Sequence, residues 1–339
     1  MAAGPSIGLF VIFSLLVVGI KAENLQTARS LKSLEHRRLF VFGDSFADTG
    51  NKQNPNEPYY SLRKPYGETY PLYPTGRWSD GKVMTDFVAT YMDLISPVPY
   101  TKRNDSILLQ KYGMNFAYGG TGVFDTFTGL PDMTQQIDAF EQLINSGLYA
   151  DHLDSSVALV SYAGNDYRVY LENNGSLAGL GAFRQQVVQQ LTANLQRLHN
   201  LGVKRVAVTN LQPIGCSPTV TYSTNFTQCS SLYNGLSQLH NQLLNASVQA
   251  LSPPVVILDN YNAFLTVLQQ ETFGNRLKAC CMGVNIAVWC GTVDGSENKQ
   301  YTLCPLPWIT FWWDNNHPSH FAWKAVVEYH RPSLDQLLS

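Results

Sequence analysis

The chain has 339 residues and a formal charge of −2, with 45% hydrophobic and 14% charged residues. That is enough apolar material for a large buried core and too little charge for a disordered chain. Lys and Arg form no basic stripe, so a nucleic-acid partner has no electrostatic support. Length alone admits one large domain or two.

The chain opens with an uncharged apolar run, Ile7 to Ile20 (IGLFVIFSLLVVGI), followed by the small residue Ala22. The run is too short for a comfortable membrane span and sits where a secretory leader belongs. We therefore expect a signal peptide over 1–22 and a mature chain, 23–339, without stable membrane insertion. No Lys or Arg precedes the run, so only the terminal amine supplies the positive end, and a retained anchor is the competing reading.

Beyond the leader, short apolar runs alternate with helical patterns. Arg38 to Phe42 (RLFVF) reads as a strand ending at Gly43, and Val83 to Ile95 has helical spacing. Met114 to Ala117 is a strand leading into Gly119-Gly120. Asp132 caps a helix running to about Ile144, with Gln135 at the capping-box position. Val157 to Tyr162 is a strand. Phe183, Val187, Leu191, Leu195 and Leu198 form one stripe of a helix that Gly202 ends. Val203 to Thr209 and Pro254 to Leu258 are strands on either side of a helix over Leu232 to Leu251. Phe321 to Leu338 reads as one closing helix. Such alternation predicts an α/β fold with a parallel sheet covered on both faces. No linker, charge run or repeat divides the mature chain, which reads as one domain.

Four sequons, at Asn104, Asn174, Asn225 and Asn245, are candidate glycosylation sites in an exported chain. The six cysteines (Cys216, Cys229, Cys280, Cys281, Cys290 and Cys304) suggest up to three disulfides. Cys216 and Cys229 flank one loop and are the preferred pair; the other pairings stay open. With no Cys-x-x-Cys and no His among the cysteines, a metal site is not expected.

In parallel α/β sheets the working residues gather at the carboxyl ends of strands. Those positions here hold Gly43-Asp44-Ser45, Gly119-Gly120, Gly164-Asn165-Asp166 and, near the C-terminus, Asp314-Asn-Asn-His317. Together they supply an acyl-transfer site. A Ser hydroxyl needs a base, His is the usual one, and the His needs an acceptor on its second nitrogen. Asp314, three residues before His317, lies within its reach in a helical or turn-like segment. Backbone N–H groups and an Asn amide can hold an oxyanion. His320 is the rival base, without an Asp at the same spacing. Asp44 and Asp166 read as hydrogen-bonding scaffold. The Pro/Tyr-rich stretch Asn54 to Trp78 is either a pocket wall or a packed surface loop, and Trp312-Trp313 reads as packing.

The chain resembles the plant GDSL esterase/lipase family of the SGNH hydrolase superfamily. Four blocks match in order: GDSFADTGN, NFAYGGTG, GNDY and DNNHPS. GRWSDG (Gly76 to Gly81) and NLQPIGCSP (Asn210 to Pro218) lie between them, and the resemblance covers about residues 38 to 330. It implies a flavodoxin-like, three-layer α/β/α sandwich with a mostly parallel central sheet. It also implies a catalytic Ser45, His317 and Asp314, an oxyanion hole of Ser45, Gly120 and Asn165, no metal or organic cofactor, and a small-molecule ester substrate. Two departures stand out. Ala163 occupies the usual Gly of Gly-x-Asn-Asp, and the adjacent Gly119 and Gly120 leave two candidates for the oxyanion glycine, of which Gly120 is preferred. The function implied is a secreted serine esterase, in the cell wall, apoplast or vacuole. An acyltransferase using the same acyl-enzyme is the nearest alternative, and a non-catalytic binding protein on the same scaffold is the other.

Overall fold

The computed structural model describes residues 37–51 and 59–339. The leader and its cleavage point lie outside those residues, as do the first residues of the Pro/Tyr-rich stretch.

Six strands form one parallel sheet: β1 (Leu39–Gly43), β2 (Val98–Pro99), β3 (Gly113–Asn115), β4 (Val157–Ser161), β5 (Arg205–Thr209) and β6 (Val255–Leu258). Their order is β2-β3-β1-β4-β5-β6. From β1 the chain goes to the edge strand β2, places β3 between β2 and β1, and then crosses to β4 on the other side of β1. The direction of winding therefore changes at β1, and the crevice of such a sheet opens there, beyond the strand ends.

The strands are apolar at successive positions because both faces are covered. Leu39, Val41, Val157, Leu159 and Ala207 face one way, into a core shared with helices α1 (Met84–Tyr91), α6 (Asn260–Leu268), α7 (His320–Tyr329) and α8 (Arg331–Leu338). Phe40, Phe42, Ala158, Val160, Val206 and Val208 face the other, against α2 (Met133–Asn145), α4 (Leu180–Asn200) and α5 (Ser231–Val248). Helix α3 (Asn165–Glu172) follows β4 directly. The result is the expected α/β/α sandwich.

Local chemistry sets several boundaries. Asp132 accepts the N–H of Gln135 at 2.9 Å, while the Gln135 side chain accepts the N–H of Asp132 at 3.0 Å, closing the expected capping box. The single closing helix expected over Phe321 to Leu338 is instead two helices meeting at His330. Pro332 has no N–H for the carbonyl of Glu328, and its ring would collide with that carbonyl, so the helix restarts. Outside the main sheet, β7 (Asn275–Ala279) pairs with β10 (Thr310–Trp312) and β8 (Cys281–Gly283) with β9 (Tyr301–Leu303). Disulfides join Cys216 to Cys229, Cys280 to Cys304 and Cys281 to Cys290. The last two fasten the β8–β9 pair beside β10, where Tyr66, Trp78, Tyr301 and Trp313 pack with the cysteines.

Candidate active site

β1 delivers Gly43 against β4 so tightly that a Cβ there would lie 2.2 Å from the Ser161 carbonyl oxygen. The turn that follows is nucleated by Asp44, whose Oδ1 accepts the N–H of Phe46 at 3.0 Å. This turn presents Ser45 above the strand end, largely buried.

β10 delivers the partner. After Trp312 and Trp313, both fully buried packing residues, the chain reverses. Trp313 N–H donates to the His317 carbonyl at 2.7 Å, and Asp314 Oδ1 accepts the N–H groups of Asn316 and His317, both at 2.9 Å. The Asp-x-x-His spacing is thus a tight turn closed by its own carboxylate. That turn puts His317 Nδ1 2.7 Å from Asp314 Oδ1 and 2.8 Å from Oδ2. A carboxylate cannot donate, so Nδ1 carries the proton and Nε2 is the acceptor. Nε2 lies 2.8 Å from Ser45 Oγ. Ser45, His317 and Asp314, read from distant parts of the sequence, form one hydrogen-bonded chain. His320 does not join it: its Nδ1 accepts the N–H of Lys82 at 3.0 Å.

Hydrogen bonds to Asp44 and Asp48 tie Asn165 and the Gly119-Gly120 segment to the turn that carries Ser45. Neither Ser45 N–H nor Gly120 N–H has a hydrogen-bond partner among the described residues, whereas Gly119 N–H is taken by Asp48 Oδ2 at 2.9 Å. That favours Gly120 as the free donor. Gly120 also has φ +88°, a left-handed backbone that suits glycine. Asn165 opens α3, and its Nδ2 donates to Asp44 Oδ2 at 3.1 Å and to the Thr121 carbonyl at 3.0 Å. The departure at Ala163 has a simple resolution. Gly164 supplies the left-handed turn (φ +99°), and Ala163 N–H donates to Asp44 Oδ2 at 2.6 Å.

Buried polar groups tie these loops together. Asp48 accepts Gly50, Asn51 and Gly119 N–H, and Asn51 and Asn115 bridge the loops after β1 and β3. Asp166 accepts Val123 and Phe124 N–H. Burial pushes the Asp44 carboxyl up to about 7, against the N–H groups of Ala163 and Phe46 and the His317 charge, which pull it down.

Two further residues of the site come from the Pro/Tyr-rich stretch: Tyr66, which carried no other signal in the sequence, and Trp78, which lies in the GRWSDG block. Tyr66, fully buried, donates its hydroxyl to Asp314 Oδ2 at 2.7 Å. Trp78 stacks on the His317 ring, with centroids 4.9 Å apart and planes 28° apart. The stretch is therefore packed against the site at Tyr66 and Trp78, while Leu72 and Tyr73 between them are exposed.

Residues 39–329 match the family model described as GDSL-like lipase/acylhydrolase. The chain belongs to this family. Two GDSL esterase/lipases of Arabidopsis thaliana are each 43% identical to it. One alignment covers 94% of both chains; the other covers 96% of this chain and 95% of the relative. Acetylajmalan esterase of Rauvolfia serpentina is 28% identical, over 88% of this chain and 86% of its own. The family places the chain among carboxylic ester hydrolases. Its three disulfides fit a secreted protein, and no helix among the described residues is long and apolar enough to cross a membrane.

Proposed function

We propose that the chain is an exported serine esterase acting on a small-molecule carboxylic ester, with Ser45 as nucleophile. The observation that carries this reading is the 2.8 Å contact between Ser45 Oγ and a His317 whose other nitrogen is held by Asp314. His317 Nε2 takes the Ser45 proton as Oγ attacks the ester carbonyl. Asp314 keeps the proton on Nδ1 and balances the imidazolium. The N–H groups of Ser45 and Gly120 receive the oxyanion. Asn165 Nδ2 joins them by turning the hydrogen that now bonds Thr121. The intermediate collapses, the C–O bond to the alcohol breaks, and the alcohol leaves with the proton from His317. Water, deprotonated by the same nitrogen, then cleaves the acyl-enzyme and frees the acid.

In this reading residues 1–22 are a cleaved leader and 23–339 a single catalytic domain. Asn104, Asn174, Asn225 and Asn245 are all exposed and open to glycosylation in the secretory pathway. The test is turnover of p-nitrophenyl esters of increasing acyl length by wild type and Ser45→Ala, beside labelling with a fluorophosphonate. Turnover and labelling that both vanish in Ser45→Ala support the reading. Turnover that survives the substitution overturns it.

A further inference from the structure

Tyr66 and Trp78 approach the two halves of the His317–Asp314 pair from one stretch of chain. Tyr66 is fully buried, edge-on to Trp78 (5.7 Å) and to Trp313 (6.0 Å), and its hydroxyl reaches the Asp314 oxygen Oδ2. Trp78 is wedged between the His317 ring and the loop after β3. A Cβ on Gly119 would lie 2.4 Å from the indole Nε1, and that N–H has no hydrogen-bond partner among the described residues. The indole is thus held there by shape, with its face on the imidazole.

We propose that this stretch tunes the proton affinity of the His317–Asp314 pair from both ends. Tyr66 draws charge from the carboxylate, and Trp78 offers the imidazolium a π face. Both are positioning residues, since neither touches the reacting atoms. The inference rests on the esterase reading. A positive imidazole lying over an indole is attracted by the ring quadrupole, and burial strengthens that attraction. A hydroxyl donated to Asp314 stabilises the carboxylate and so weakens what it gives to the imidazolium. The two contributions have opposite sign.

The other groups facing His317 are few. Asp314 comes from its own turn, and Ser45 and the Asp44 carboxyl come from the turn after β1. Phe46, edge-on at 6.1 Å, is neutral. The Asp44 carboxyl, pushed up by burial to about 7, is common to every variant and leaves the differences between them intact.

The experiment is the pH profile of kcat/KM for wild type, Tyr66→Phe and a protein carrying singly, doubly or triply fluorinated tryptophan at position 78. Fluorination keeps the ring's shape while draining its π face. The acidic limb is expected to move to higher pH in Tyr66→Phe and, step by step, to lower pH with fluorination, each by about half a unit. The plateau of kcat is expected to fall severalfold across the fluorinated series with KM unchanged. Limbs that stay put, or move in the same direction, overturn the proposal. If Tyr66→Phe fails to fold, the fluorinated series decides alone. Absence of ester turnover by the wild type would defeat the esterase reading itself, and is distinguishable from turnover with unmoved limbs.

Discussion

Each side chain at the site has a job that its surroundings make measurable. Asn165 is held by Asp44 and Thr121 at the opening of α3, so its removal leaves the serine–histidine contact standing. Asn165→Ala is expected to lower kcat by about 10²- to 10³-fold with little change in KM, because an oxyanion donor acts on the transition state. Steady-state kinetics beside an unchanged circular-dichroism spectrum would check this, and a change confined to KM would contradict it. Asp314→Asn should cost about 10⁴-fold in kcat by presenting the wrong histidine tautomer, while Ser45 still reacts slowly with the fluorophosphonate. The core of this site was legible in the sequence for a local reason. Asp314 and His317 sit in one four-residue turn, and Ser45, Gly120 and Asn165 lie in the segments that follow β1, β3 and β4. Tyr66 was not legible: its bond to Asp314 spans 248 positions, and a tyrosine in an irregular stretch carries no periodicity to betray its partner. Trp78 stood in the matching GRWSDG block, but nothing in that block pointed to its stack on His317.

Elements were legible where hydrophobic runs were long. β1, β4, β5 and β6 are buried between two helical layers, so their apolar runs stand out from the chain around them. Helix α4 showed its stripe because one face packs on the sheet. β2 and β8–β10 have two or three residues each, too few for any pattern to rise above noise, whereas β3, equally short, was read from the Met114 to Ala117 run before Gly119-Gly120. Helices α3 and α6, eight and nine residues long, were missed, whereas α1, also eight residues, was read from its helical spacing. The Cys216–Cys229 link was readable because one short loop separates the pair. The adjacent Cys280 and Cys281 left their partners ambiguous, since either could reach Cys290 or Cys304. The Cys280–Cys304 link closes a separation of 24 residues beside the turn that carries Asp314 and His317. There Cys280 and Cys281 donate their N–H groups to the carbonyls of Trp312 and Trp313. Replacing both Cys280 and Cys304 by Ser is expected to cost about 3 kcal/mol of stability by loop-closure entropy. Urea unfolding would read this. Activity measured well below the unfolding midpoint should fall too, because the strand behind His317 loses its clamp.

At the scale of the whole molecule, two buried histidines join helices on opposite faces of the sheet, and both are held neutral. His240 of α5 lies 2.7 Å from the Tyr167 hydroxyl of α3, and burial drives it down to about 3. His330, at the junction of α7 and α8, lies 2.9 Å from Asn260 Oδ1 of α6, and burial drives it down to about 4. Each titrates near 6.5 once unfolded, so between that pH and its folded value the unfolded chain holds a proton that the folded chain refuses. Stability contributed by the neutral histidine is therefore complete above pH 6.5 and is lost as the pH falls, by about 1 kcal/mol per pH unit for each. Asp44 runs the other way. Its folded value of about 7 exceeds the unfolded 3.8, so the folded state keeps a proton across that interval, and stability drains as the pH rises through it. Burial raises Asp166 in the same direction. The carboxyls thus mask part of the histidine effect in the wild-type curve, and substitution is needed to expose it. His240→Gln and His330→Asn, separately, are expected to flatten the dependence of unfolding free energy on pH between 5 and 6.5 by about 1 kcal/mol per unit each. Combined they should add, because the two sites share no partner across the sheet. Urea titrations at several pH values would measure the slopes. Slopes unchanged by both substitutions would mean that these histidines are charged, or open to water, in the folded protein.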